Sequence, residues 1–224
     1  MKKFLFLFVL LVSFQSSAMS VGERRALSVP RGVERNMNTL VQYLTSNISD
    51  KKEKAKAIAV WIATHIAYDH ETNAVAQATN KNEQTAEDVF KNRVGICVGF
   101  VELYGKMLNI AGISNETIRG FVIEGIPNTT KAKINIKKTK IGHVWTKVNV
   151  GGQNLLVDVT WMSRGHFGGM ENKKNTQARK REFRKNQREG KTYNYEMLYF
   201  DFKYSDLMNR GEYRFDKQRK IIKK

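Results

Sequence analysis

Asn92-Arg93-Val94-Gly95-Ile96-Cys97-Val98-Gly99-Phe100-Val101-Glu102-Leu103-Tyr104 carries the one cysteine of a 224-residue chain. Downstream of it Phe100, Val101, Tyr104, Met107, Leu108 and Ala111 recur at helical spacing, and Gly112 supplies a stop. The reading is a helix that opens at about Cys97, after a glycine-containing turn, and buries one apolar face. Thr85 with Asp88 marks the N-terminus of a shorter helix before it, which Arg93 to Ile96 interrupts.

A second stretch answers the first. His143 to Val150 and Gln153 to Trp161 flank Gly151-Gly152, a pair suited to a two-residue hairpin turn with positive φ at both positions. Such a turn sets Val150 opposite Gln153, Val148 opposite Leu155, Thr146 opposite Val157 and Val144 opposite Val159. That face is mostly apolar and belongs in the core. The other face carries His143 and Trp145 against Asp158 and Thr160, making His143 and Asp158 diagonal neighbours. A turn one residue longer would put them on opposite faces. The apolar pattern and the chemical pattern therefore demand the same register.

Cys97, His143 and Asp158 together suit acyl transfer or amide hydrolysis. The nucleophile in such chemistry is the thiolate, which a helix N-terminus and a neighbouring imidazolium favour. Asp158 would orient the imidazole, and the Cys97 N–H would donate to an oxyanion. Asn92 and Trp145 are the candidates for a second donor. His65 and His70 lack acidic or sulfur partners at helical spacing, so they are read as surface or capping groups rather than metal ligands.

The remaining chain adds context. Met1-Lys2-Lys3, an apolar run from Phe4 to Phe14 and Ser16-Ser17-Ala18 form the pattern of a cleavable signal peptide over residues 1–18. The run is about half of what a membrane span needs. The expectation is a secreted or periplasmic protein. In such a setting an unpaired cysteine calls for an explanation, and a small buried hydrophobe is the bland one. Residues 19–50 read as a linker, ending near Pro30, and then a helix from Val33 to about Thr45. A core follows over 51–162, its first helix opened by Ser49-Asp50 with Glu53 as a capping box. Residues 163–224 read as a basic insertion, an aromatic strand from Tyr193 to Phe202 that returns to the core, and a basic tail from Arg214 to Lys224. Thr117 to Glu124 reads as a strand.

The formal charge of +18 favours anionic contacts and says nothing of the fold. The dense basic segment Lys173–Lys191 reads either as a solvated helix that aids solubility or as a contact with an anionic envelope polymer or a membrane surface. Specific nucleic-acid recognition is not expected, because the basic residues carry no reading motif and no stacking aromatics.

At these residues the sequence resembles the transglutaminase-like superfamily, in its bacterial, kyphoscoliosis-peptidase-like branch. The resemblance runs through Trp61-Ile62, Ile66-Ala67-Tyr68-Asp69, Ala86-Glu87-Asp88-Val89-Phe90, Gly95-Ile96-Cys97-Val98-Gly99-Phe100, Gly142-His143-Val144-Trp145 and Asp158-Val159-Thr160-Trp161. It implies an α+β, papain-like fold with a cysteine-bearing helix packed on an antiparallel sheet. It also implies Cys97 as nucleophile, His143 as base, Asp158 as orienting acid, a protein or peptide substrate, and no cofactor. Val98 and Phe100 stand where many relatives carry a polar residue and a tyrosine. The alternative expectation is an inactive envelope-binding module that keeps the fold and uses its basic surface.

Overall fold

The computed structural model describes residues 19–69, 83–124, 141–163, 185, 195–216 and 220–222. In chain order its helices are α1 (Val21–Leu27), α2 (Met37–Thr45), α3 (Lys51–His65), α4 (Ala86–Asn92), α5 (Cys97–Ile110), α6 (Val159–Met162) and α7 (Tyr204–Asn209). Its strands are β1 (Ala67–Tyr68), β2 (Val94–Gly95), β3 (Asn115–Ile123), β4 (Ile141–Val150), β5 (Gln153–Val157) and β6 (Tyr213–Phe215). The last four form an antiparallel sheet in the order β5-β4-β3-β6, on which α5 packs. This is the expected α+β arrangement, a cysteine-bearing helix on an antiparallel sheet.

The stretch expected to be a linker before Pro30 begins instead with a capped helix. The Ser20 hydroxyl accepts the Glu23 N–H, and the Glu23 carboxylate accepts the Ser20 N–H, so α1 opens with a capping box. At Asp50 the expected box is only half made. Asp50 caps α3 through the Lys52 N–H, while Glu53 turns to the Gly22 N–H and to Lys56. A Cβ at Gly22 would lie 2.5 Å from the Glu53 carbonyl oxygen, so glycine is what lets α1 lie directly on α3. The helix expected from Val33 is split by Asn36, which is extended and caps α2.

α3 and α5 supply much of the core. Ile58, Trp61 and Ile62 are fully buried, as are Phe100, Leu103, Tyr104 and Met107. The tight turn that α5 needs comes from Arg93, in the left-handed region at φ 58°, followed by β2 pairing in parallel with β1. The hairpin turn at Gly151 and Gly152 has φ of 64° and 90°, and the pairs Val150–Gln153, Val148–Leu155 and Thr146–Val157 are all formed. The register read from the sequence is therefore the observed one.

The ladder ends at Val157, earlier than expected. Asp158 leaves the strand and caps α6, so Val159, Thr160 and Trp161 are helical rather than paired with β4. The segment from 195 to 202 returns along β5, as expected, but as a 3-10 turn over Met197–Tyr199 and a single bridge from Val157 to Phe200. Tyr199, Phe200 and Phe202 are buried there. The largest departure is at the C-terminus. Arg214, assigned to a basic tail, lies in β6 beside β3 and is 1% exposed. The Lys173–Lys191 segment and residues 1–18 lie outside the described residues, apart from Lys185, which is exposed and helical.

Candidate functional site

Cys97 is the first residue of α5 and is nearly buried, packed with Ile96, Val98, Val101 and Val144. Ile96, at the cap position, has no side chain that could accept the first helical N–H groups. Upstream, the Ile96 N–H donates to Gln84 Oε1 at 2.8 Å, which ties the turn to the start of α4. The two glycines flanking Cys97 make room for this. A Cβ at Gly99 would stand 2.3 Å from Gln84 Oε1, and one at Gly95 would stand 3.1 Å from Val89.

His143 reaches the same place from β4. Its Nε2 lies 2.7 Å from Asp158 Oδ2, and Cys97 is its other side-chain hydrogen-bond partner. With Nε2 committed to the carboxylate, Nδ1 is the nitrogen left for the sulfur. The ring lies beside two indoles, with centroids 6.1 Å from Trp145 and 5.2 Å from Trp161. Burial alone would pull the imidazole pKa down. The charge of Asp158, its hydrogen bond and the contact with Cys97 outweigh that and raise it to about 9.

Asp158 is fully buried and uses both oxygens. Oδ1 accepts the Trp161 N–H at 3.1 Å, capping α6, while Oδ2 faces His143. Burial acts to raise its pKa. His143 and Arg214 overcome this and hold the carboxyl down at about 2. The three expected residues are thus together. His143 and Asp158 meet through the cap of a helix instead of across a strand pair.

Sequence reasoning missed Arg214. Its Nη1 lies 2.7 Å from Asp158 Oδ2, close enough for an ion pair though not aligned as a hydrogen bond, and its Nε donates to Glu212 at 2.9 Å. The guanidinium lies 4.8 Å from the ring centroids of Trp145 and Trp161 and 4.7 Å from that of Phe202. Tyr199 in turn donates to Glu212. The one available signal was the alternation of Tyr213, Arg214 and Phe215, which a run of neighbouring basic residues conceals.

The two candidates for a second oxyanion donor do not fit. Trp145 Nε1 donates to the Tyr204 hydroxyl at 3.1 Å, and Asn92 is exposed at the end of α4. A groove of about 740 Å³ runs beside α5 past Gln84, Glu87, Val101, Lys106 and Thr117; neither Cys97 nor His143 lines it. Val101 places it one helical turn from the thiol. His65, expected at the surface or in a cap, is half-buried and stacks on Trp61 at 4.8 Å, while His70 lies outside the described residues. Among the described residues no cluster of histidine, cysteine, aspartate and glutamate is arranged to hold a metal ion, and no helix is long and apolar enough to cross a membrane.

The kyphoscoliosis peptidase of Mus musculus is 29% identical over 131 residues, which is 58% of this chain and 19% of that protein. Its Homo sapiens counterpart is 29% identical over 129 residues, 57% of this chain and 18% of that protein. The chain thus spans about a fifth of the length of these curated relatives. Among solved structures, a candidate cysteine protease from Cytophaga hutchinsonii superposes with a TM-score of 0.38 at 19% identity, over 64% of this chain and 43% of that one. A structure described as a TGase gives 0.41 at 14% identity, over 74% and 38%. The family pattern of the transglutaminase-like superfamily matches residues 38–163, more than half of the chain. On that match, the chain belongs to the transglutaminase-like superfamily.

Proposed function

We propose that this protein is a cysteine enzyme acting on peptide or protein amides through Cys97, His143 and Asp158. The observation that carries the reading is the buried chain of contacts from Cys97 to His143 to the Asp158 carboxylate, at the uncapped start of α5. In the first half-reaction the Cys97 sulfur attacks the amide carbonyl carbon. The carbonyl oxygen takes the negative charge and accepts from the Cys97 N–H, the nearest of the uncapped helical donors. His143 then gives its proton to the departing amine as the C–N bond breaks, leaving a thioester on Cys97. In the second half-reaction His143 takes a proton from water or from an incoming amine, which attacks the thioester and restores the thiolate. Water gives a protease or amidase; a lysine amine gives a cross-link. Asp158 holds the imidazole in one tautomer when it is neutral and stabilises the charged form when His143 carries the second proton.

The N-terminal pattern of residues 1–18 supports a secreted or periplasmic location for this activity. The basic segment Lys173–Lys191 supports retention on an anionic envelope surface or recruitment of acidic substrates, both screened by salt over about 10 Å at 0.1 M. Incubation with glutamine-containing proteins and a labelled primary amine separates the two outcomes. Amine incorporation marks a transferase, and new peptide termini mark a protease. Neither product at any concentration of reductant would refute the enzyme reading.

A further inference from the structure

Arg214 lies outside the matched family region, 51 residues beyond its end at 163, yet it touches the innermost group of the site. A buried guanidinium is costly to desolvate, and it is retained here among three aromatic rings with a carboxylate on either side. Trp145 and Trp161 each lie beside both His143 and Arg214, the two groups that face Asp158 Oδ2. The backbone is shaped to admit this. Gly120 pairs with His143 across the β3–β4 ladder, and a Cβ there would stand 2.2 Å from the Phe215 carbonyl oxygen and 2.8 Å from the Trp145 ring. Only glycine lets β6 come close enough to deliver Arg214.

Resting on the Cys-His-Asp reading above, we infer that Arg214 is a positioning residue of the site: it pins Asp158 Oδ2 as an ionised acceptor for His143 and makes the C-terminal strand part of the catalytic apparatus. Oδ1 is already fixed by the Trp161 N–H, so the second contact leaves the carboxylate no rotation. The charged and titratable groups that act on Asp158 are His143 from β4, Arg214 from β6, Glu212 before β6, Tyr68 from β1 and, through His143, Cys97 from α5. Arg214 is the one permanent cation among them.

The test compares Arg214→Met and Arg214→Lys with the parent. Each is checked for folding by near-UV circular dichroism, then assayed for Cys97 alkylation by iodoacetamide and acylation by p-nitrophenyl acetate between pH 4 and 8. With Arg214 gone, Asp158 accepts a proton at a higher pH. The acid limb of both reactions in Arg214→Met should then move up from about 2 into the assayed range, to about 5, a roughly tenfold loss at pH 4 that the parent does not show. Arg214→Lys keeps the charge but not the planar fork. It should hold the parent's acid limb while the maximal acylation rate falls about tenfold with little change in apparent KM. If Arg214→Met does not fold, Arg214→Lys decides. A residue that only packs would lower the melting temperature of the variants and leave rates and pH limbs of the folded protein at parental values, which would overturn the inference. His143→Ala in the same assays keeps the two claims apart. If it also matches the parent, the Cys-His-Asp reading fails. If it is slow while both Arg214 variants match the parent, only the role of Arg214 falls.

Discussion

Cys97 and Asp158 both sit at helix N-termini, and the two helices treat them in opposite ways. Cys97 opens a helix of fourteen residues whose cap residue offers no side chain, so its first N–H groups remain for whatever charge forms there. Asp158 is itself the cap of a four-residue helix. It spends one oxygen on that helix and uses the resulting rigidity to aim the other at His143 and Arg214. The long helix is held from outside, by its buried face and by Gln84; the short one is held by the Asp158 carboxylate. Changes on the Cys97 side should therefore separate chemistry from stability, whereas changes on the Asp158 side should damage both together.

The strongest challenge to that contrast is Cys97→Ala beside Asp158→Ala. Cys97→Ala should abolish turnover, by at least about 10³-fold, and shift the melting temperature little. Asp158→Ala should lower activity by a comparable factor and also cost about 3–5 kcal/mol, because it leaves buried Arg214 with Glu212 alone, takes the carboxylate from His143 and removes a cap. Urea unfolding of the two variants measures the difference. Equal stabilities would break the comparison.

On the Cys97 side, Gly99→Ala sharpens it. The added methyl meets Gln84 Oε1 at 2.3 Å, so the amide that holds the Ile96 N–H must move. A loss of about 1–3 kcal/mol is expected, with slower Cys97 alkylation, and Gln84→Ala should reproduce the slowing without the clash.

A third expectation concerns pH. His143 is raised in the folded protein from 6.5 to about 9, so its contribution to stability is complete below about 6.5 and is lost as pH rises through 9. Asp158 is lowered from 3.8 to about 2, so its contribution is present above about 3.8 and is lost as pH falls through 2. The site should stabilise the fold most between about pH 4 and 6.5. His143→Ala should flatten the alkaline decline in unfolding free energy.

What the sequence disclosed follows the same divide. The Cys97 helix, the hairpin turn and its register rest on local periodicity, two glycines and an unbroken alternation, all of which act between near neighbours. Asp158 as a helix cap was written in Asp158-Val159-Thr160-Trp161, but the hydrophobic residues there fit a strand equally well, and tertiary packing chose the helix. Arg214 was out of reach. Its burial depends on Gly120, Trp145, Trp161 and Phe202 meeting from four separate elements, and a lone arginine in a run of basic residues carries no local mark of that. The linker reading before Pro30 failed for a smaller reason. The Ser20 and Glu23 capping box was present but precedes only seven helical residues.

The smallest effect expected is on the basic segment, which forms neither half of the contrast. Replacing Arg179, Lys180, Arg181, Arg184 and Lys185 with glutamine should lower apparent kcat/KM on an acidic substrate at low salt only, by about tenfold or less. Cys97 alkylation should stay unchanged.

The account turns on a covalent intermediate at Cys97 formed with the help of His143, and acid-quench mass spectrometry during the reaction with p-nitrophenyl acetate tests it directly. The predicted result is a burst of p-nitrophenol matching the enzyme concentration, with one acetyl group on the Cys97 peptide. Cys97→Ala should give no burst, and His143→Ala should give one slowed by at least about 100-fold. An acetyl group found on another residue, or acylation of Cys97 at the parental rate in His143→Ala, would contradict it.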